Sequence, residues 1–271
     1  MNFPRRPHTV PKLSDHHSST IAKLVYMGDS STGKTGSLTS LVVAGYKLRI
    51  LDLDNGIDPL VAYVRKECPD KIDNVEYETR RDKYKSSPLG PVIAGQPKAF
   101  VDSLNLMTKW SDGTIPAEWG SDTVFVLDSL SALSRAAMAW AEGMNPLAKD
   151  PRNWYFTAQK AVENVIAMLT SETFSCNVII IAHVQFKEQA DGTTKGYVNS
   201  VGSALGPIIP TYFNTVILSQ SSGAGKNVKR TIFTVPTSMI DLKNPVPFKL
   251  DQVLPLETGL ATIFQTLKGI K

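Results

Sequence analysis

Eight consecutive residues carry the most specific chemistry in this sequence. Gly28-Asp29-Ser30-Ser31-Thr32-Gly33-Lys34-Thr35 fits G-x-x-x-x-G-K-[ST] at every fixed position. Glycines let such a stretch wrap its backbone around phosphates, whose charge suits free N–H groups and the positive end of a following helix. Lys34 is then placed to meet the β- and γ-phosphates, and Thr35 to offer its hydroxyl to Mg²⁺. That chemistry requires a strand before the loop and a helix after it. Residues 21–27 (IAKLVYM) are rich in branched and aromatic side chains and predict a buried strand, while Leu38, Leu41, Val42 and Gly45 predict a short helix ending at the glycine. An ordinary Gly/Ser turn that matches by accident would leave those flanks unexplained, so the stretch reads as a site for a nucleoside triphosphate with Mg²⁺.

Three further strand ends could serve the same phosphates. Asp128 follows the apolar run 123–127 (TVFVL) and suits a carboxylate that holds Mg²⁺ beside Thr35; the other reading is a cap for the helix that starts at residue 129 or 130. Asp52 and Asp54 end the run 47–54 (KLRILDLD). Separated by one residue, they would point to the same face of a strand. Asp54, nearer the edge, is the better candidate to orient or deprotonate a water attacking the γ-phosphate, against the alternative that either caps the turn at Asn55-Gly56. His183 ends the run 177–182 (NVIIIA) and could hydrogen-bond the γ-phosphate and pass its presence to the following loop. Gln185 is its rival, and a structural histidine is the plainer reading.

These residues must be brought to one edge by a sheet. Continuous apolar runs at 123–127 and 177–182 predict strands buried on both faces, as in a parallel sheet flanked by helices. Residues 57–66, 97–110, 130–141 and 154–169 predict the helices, and runs near 215–219, 230–235 and 246–250 make the last third strand-rich. The polar segment 70–97 reads as a surface excursion. The expected fold class is α/β, a mostly parallel central sheet flanked by helices with a β-rich C-terminal part. A flexible polar arm at 1–20 precedes a single domain over 21–271.

Composition narrows the function classes. The chain has 271 residues, 42% of them hydrophobic, and no apolar run long enough for a membrane span of roughly 18 residues. Cys68 and Cys176 match no metal spacing and read as buried thiols in a reducing compartment. A net charge of +4 permits an acidic partner without demanding one. Two stretches combine cations with aromatics in a way that suits single-stranded nucleic acid: about 135–155, with Arg135, Lys149, Arg152, Trp154 and Tyr155, and about 186–202, with Lys187, Lys195 and Tyr197. A solvated loop with incidental charges is the alternative for each.

In order and spacing these features resemble the RecA-like P-loop ATPase family over residues 21–257. ILDLDNGIDPLVAYVRK looks like the family's strand ending in a catalytic carboxylate, VFVLDSLSAL like its Walker B segment, and VIIIAHVQF like its γ-phosphate-sensing strand. GSALGPIIPTYFNTVILSQ resembles the end of the second DNA-binding loop, and VKRTIFTVPTSMIDLKNPVPF the strands whose Lys or Arg reaches a neighbouring subunit's nucleotide. The resemblance implies catalytic roles for Lys34, Asp54 and His183, and a trans-acting role at a subunit interface for Lys243 or Arg230. It also implies ATP and Mg²⁺, a homo-oligomer (ring or filament), single-stranded DNA as partner, a single-strand-binding protein as a further one, and a cytoplasmic setting. The usual catalytic Glu is Asp here, which implies slow hydrolysis. The short core looks most like phage-encoded RecA-like recombinases and single-strand annealing ATPases. A ring-forming helicase or translocase, and a nucleotide-switched assembly protein without DNA, are the rival expectations.

Overall fold

The computed structural model describes Lys12 and residues 20–269, so the arm expected at 1–20 lies almost wholly outside the described residues. In chain order, β1 (Lys23–Gly28) runs through α1 (Lys34–Ser37) and α2 (Thr39–Val43) to β2 (Lys47–Asp52), α3 (Asp58–Glu67) and β3 (Val75–Thr79). A small hairpin, β4 (Tyr84–Lys85) with β5 (Val92–Ile93), precedes α4 (Ala99–Thr108) and β6 (Thr123–Asp128). Then come α5 (Leu130–Met144), α6 (Arg152–Thr170), β7 (Asn177–Ala182) and a second hairpin, β8 (Val184–Glu188) with β9 (Thr194–Val198). The chain closes with α7 (Leu205–Ile208), β10 (Thr215–Ser222), β11 (Lys229–Phe233), β12 (Val253–Pro255) and α8 (Leu256–Leu267). None of the helices among the described residues is long and apolar enough to cross a membrane.

The central sheet has the order β12-β11-β10-β1-β7-β6-β2-β3. Strands β10 through β3 in that order run parallel, and β11 and β12 add an antiparallel margin. The inner strands are apolar because both faces are covered. Every residue of β6 and β7 is buried, and alternate residues of β1 feed opposite cores. Val25 and Met27 join the side of α4, α5 and α6, whereas Leu24 and Tyr26 join the side of α2, α3 and α8. On the first side Phe125 packs against Phe174 and Trp119, ring centroids 5.3 and 6.0 Å apart. At the sheet's other end, fully buried Asn177 ties three strands together. Its amide donates to the Ser121 and Thr123 carbonyls at 2.8 Å each, and its oxygen accepts from the Ala22 N–H at 2.9 Å.

Register brings the strand ends level. Asp52 pairs with Asp128, Asp128 with Ile181, and Met27 with Ala182. Gly28, Asp54, Ser129 and His183 therefore leave the sheet at one edge, where parallel α/β sheets bind ligands.

Several expected elements differ. The 70–97 excursion contributes β3, an edge strand with no fully buried residue. The stretch at 186–202 is a hairpin rather than a loop. Its Asp191-Gly192 turn (Gly192 φ 80°) closes with Gly192 N–H on the Gln189 carbonyl at 3.0 Å. Residues 246–250 form no strand, because Asn244 Oδ1 caps Val246 N–H at 2.9 Å between two prolines and the chain turns there. Arg135 lies within α5, and Trp154 and Tyr155 within α6, so only 145–151 of the first candidate DNA-binding stretch is a connection.

Candidate nucleotide site

Gly33, in the left-handed region at φ 91°, turns the loop into α1. A Cβ there would sit 2.5 Å from Leu256 Cδ2 and 3.0 Å from Arg230 Cδ, so α8 and β11 are packed onto the turn. A Cβ on Gly28 would meet the Ser219 carbonyl oxygen at 2.7 Å. Ser219 Oγ in turn donates to the Thr32 carbonyl at 2.8 Å, fixing the loop to β10. Inside the loop the buried Lys34 amine donates to the carbonyls of Gly28 (2.9 Å) and Asp29 (2.7 Å). Burial holds this amine below its ordinary pKa, against the pull of Asp128, Asp29 and Asp54.

Thr35 and Asp128 stand together, the hydroxyl donating to Asp128 Oδ2 at 2.7 Å. Burial pushes the Asp128 carboxyl up to about 6; the Thr35 hydrogen bond and Lys34 oppose that, and Asp54 and Asp52 add to it. A carboxylate so short of positive charge suits a cation. Mg²⁺ keeps several waters and takes one or two protein oxygens together with phosphate, which matches one hydroxyl and one carboxylate at a phosphate loop. Among the described residues no cluster of three or more His, Cys, Asp or Glu forms a metal cage. The donor set therefore fits a cation that arrives with its nucleotide. When bound, Mg²⁺ would supply charge to the β- and γ-phosphates from Thr35 and Asp128.

The helix-capping alternative for Asp128 is taken up by its neighbour. Ser129 Oγ accepts from Ala132 N–H at 3.2 Å and starts α5. The turn-capping alternative at Asn55-Gly56 falls to Asp52, whose Oδ1 accepts from the N–H groups of Asp54 (3.1 Å) and Gly56 (3.2 Å). Because β2 ends at Asp52, the two carboxylates do not share a face. Asp52 is buried in its turn, and Asp54 reaches outward to the Ser129 hydroxyl, to Arg135 Nη2 at 3.1 Å and toward His183 Nε2 at 3.9 Å.

His183 is fixed by its backbone. Its N–H donates to Ser131 Oγ at 3.1 Å and its carbonyl accepts from Asn199 N–H at 2.9 Å. Burial, then the charges of Lys34 and Arg135, lower its pKa against the pull of Asp54, leaving a neutral imidazole at pH 7. Gln185 lies exposed on β8 opposite Tyr197.

The other candidates are distributed more widely. Lys149 is exposed on the α5–α6 connection, and Arg152 at the start of α6 pairs with Asp150 at 2.7 Å. On the β8–β9 hairpin Lys187 donates to the Ser203 carbonyl at 2.9 Å and stands 5.8 Å from the Tyr197 ring centroid, while Lys195 pairs with Asp241 at 3.1 Å. Arg230, expected at a neighbour's nucleotide, lies against its own phosphate loop, with Nε donating to the Ser31 carbonyl at 3.2 Å. The cause is topological: β11 runs antiparallel to β10, so its first residues reach the edge where β10 ends. Lys243 sits at the opposite edge, bridged to Val216, its amine on the carbonyls of Pro210 (2.7 Å) and Phe213 (3.2 Å). A cavity of about 630 Å³, lined by Ile21, Lys23, Phe174, Tyr212, Phe213 and Leu267, also lies at that far edge. No motif residue lines it. Sequence reasoning missed Ser129 and gave Arg135 a role remote from Asp54.

The chain is similar in structure to the RadB recombinase (14% identity, 88% of this chain and 89% of that one, TM-score 0.47). It is similar too to the flagellar accessory protein FlaH from Methanocaldococcus jannaschii (13% identity, 88% and 87%, TM-score 0.42). A KaiC-like protein from the hyperthermophilic archaeon Pyrococcus horikoshii is a third such structure (12% identity, 80% of each chain, TM-score 0.43). No curated protein matches its sequence. The AAA domain family matches residues 20–246, from the strand before the phosphate loop to beyond Lys243. With the phosphate loop, the Thr35–Asp128 pair and the mostly parallel sheet flanked by helices, that match makes this chain a member of the AAA domain family.

Proposed function

We propose that this protein is an ATPase with slow turnover that binds single-stranded DNA in recombination or strand annealing, its nucleotide state setting its DNA affinity. One observation supports this reading above others. His183, within 3.9 Å of Asp54 at the nucleotide edge, directly precedes the β8–β9 hairpin that carries Lys187, Lys195 and Tyr197. A change at the γ-phosphate has only one residue to cross before it moves that hairpin. In this reading Lys34, Thr35 and Asp128 bind ATP and Mg²⁺, and Asp54 orients the attacking water. Lys243 faces a second subunit of a homo-oligomer.

Fluorescence anisotropy of labelled oligo(dT) tests this, with no nucleotide, ADP, or a non-hydrolysable ATP analogue, alongside Lys34→Ala. Tight binding with the analogue alone, lost in the variant, is the expected result. No DNA binding in any state, with nucleotide binding intact, overturns it.

A second reading has its own observation. Arg135, Arg152 and Lys195 are each paired with a carboxylate of this chain, and Met144, Leu147 and Phe156 are exposed around the α5–α6 connection that ends at Arg152. Neutralised cations beside bare apolar side chains suit a protein partner, and a nucleotide-switched assembly factor is the alternative.

A further inference from the structure

Both oxygens of Asp54 are engaged. Oδ2 accepts from the Ser129 hydroxyl and Oδ1 from Arg135 Nη2. The first contact is built into the fold, because the same hydroxyl caps α5. The second is not. The Arg135 side chain is 67% exposed, against 27% for Asp54, and it crosses from α5 to the loop after β2. Exposed pairs of this kind hold weakly, so the guanidinium is an exchangeable cover. A carboxylate that is to orient a water or take its proton needs a free lone pair facing that water. Ser129 takes one of the about four lone-pair sites on Asp54 and Arg135 a second, so a water must compete with the guanidinium for the Oδ1 side of the carboxylate.

We propose that Arg135 is a latch on Asp54, opened when a phosphodiester chain draws the guanidinium away. This rests on Asp54 being the hydrolytic carboxylate. In the step it controls, water adds to the γ-phosphorus as the bond to the β–γ bridging oxygen breaks. ADP leaves, and the water's proton passes to Asp54 and then to solvent. Arg135 touches neither water nor phosphate and is a positioning residue. Its place on α5 supplies the link to the polyanion. Nine residues on, about 14 Å along the axis, the helix ends at Met144 and gives way to the stretch bearing Lys149. A strand held by Lys149 and running along α5 would bring phosphates to Arg135.

The test is hydrolysis of ATP with and without oligo(dT) by the wild type, Arg135→Ala, Arg135→Lys and Asp54→Asn. Nucleotide affinity is measured for each. Arg135→Ala is expected to raise the basal kcat by up to about fivefold, the rate equivalent of a weak exposed pair, with KM unchanged and oligo(dT) giving no further gain. Arg135→Lys restores the restraint in part, and Asp54→Asn abolishes turnover in either background. A basal rate that stays level or falls in Arg135→Ala, with nucleotide affinity intact, overturns the latch. Wild-type turnover in Asp54→Asn overturns the site reading beneath it. Should oligo(dT) fail to bind, the polyanion part of the latch and the DNA reading both fall, while the basal rates still decide whether Arg135 restrains Asp54.

Discussion

Asp52, Asp54 and Asp128 are the same residue type at neighbouring strand ends, and their surroundings give them different work. Asp52 spends one oxygen on two backbone N–H groups, Asp128 meets a hydroxyl beside the phosphate loop, and Asp54 faces a serine, an arginine and a histidine. The types and positions were legible in the sequence, but the division of labour was not, because it depends on contacts such as Arg135–Asp54 between residues 81 positions apart. Asp128→Asn should leave nucleotide affinity in EDTA near wild type while removing most of the gain that Mg²⁺ adds, as titration calorimetry with and without the cation would show. His183 offers a titration that reads the same cluster. Its imidazole should titrate below the usual 6.5, higher in Arg135→Ala and lower in Asp54→Asn, followed by NMR of the ring protons. The sign for stability follows. With a folded pKa lowered beneath the unfolded value, the unfolded chain binds the proton more readily, so His183 contributes stability above pH 6.5 that is lost as pH falls toward the folded value. His183→Gln should flatten that part of the stability profile, and an unchanged slope would mean that the imidazole is freely hydrated.

At the scale of elements, legibility followed burial. Strands β6 and β7 are apolar at nearly every position because helices cover both faces, and their boundaries could be read to within a residue. Polar elements were harder. Strand β3 (VEYET) is an edge strand with little apolar pattern, and the β8–β9 hairpin is marked in the sequence mainly by its Asp191-Gly192 turn. Helix α8 carried a readable period in Leu256, Leu260, Ile263 and Phe264, all buried, yet was missed. Its role at the site could not be read at all, since it depends on α8 and β11 folding back onto Gly33. Gly33→Ala tests that packing. A left-handed φ costs a non-glycine residue about 1–2 kcal/mol, and the new Cβ would also meet Leu256 Cδ2 at 2.5 Å. The expected outcome is a lower melting temperature together with lost nucleotide binding. Leu256→Ala in the same background should recover part of both. At the far edge, Asn177→Ala removes three hydrogen bonds from a fully buried site. It should cost about 2–4 kcal/mol of stability in denaturant unfolding while leaving nucleotide affinity unchanged, because the sheet separates that edge from the phosphate loop.

For the whole molecule, the balance of charge decides how DNA binding would respond to salt. A net charge of +4 gives no strong field, so binding must come from local cations. Five candidates carry charge: Arg135, Lys149, Arg152, Lys187 and Lys195. Arg135, Arg152 and Lys195 already pair with Asp54, Asp150 and Asp241. A phosphate that takes over such a cation frees a carboxylate, which gathers a counterion in turn, so the exchange releases almost none. Lys149 and Lys187 have no carboxylate in ion-pair range among the described residues and would release counterions outright. Single strands give a slope of about −0.7 in log K against log salt for each phosphate neutralised. The expected slope per subunit is therefore about −1.4 for the wild type. Asp150→Asn with Asp241→Asn frees two more cations and should steepen it to about −2.8 while tightening binding at low salt. Anisotropy across a salt series measures both. A double variant that follows the wild-type slope would mean that Arg152 and Lys195 stay off the strand, which Lys149 and Lys187 alone would then meet.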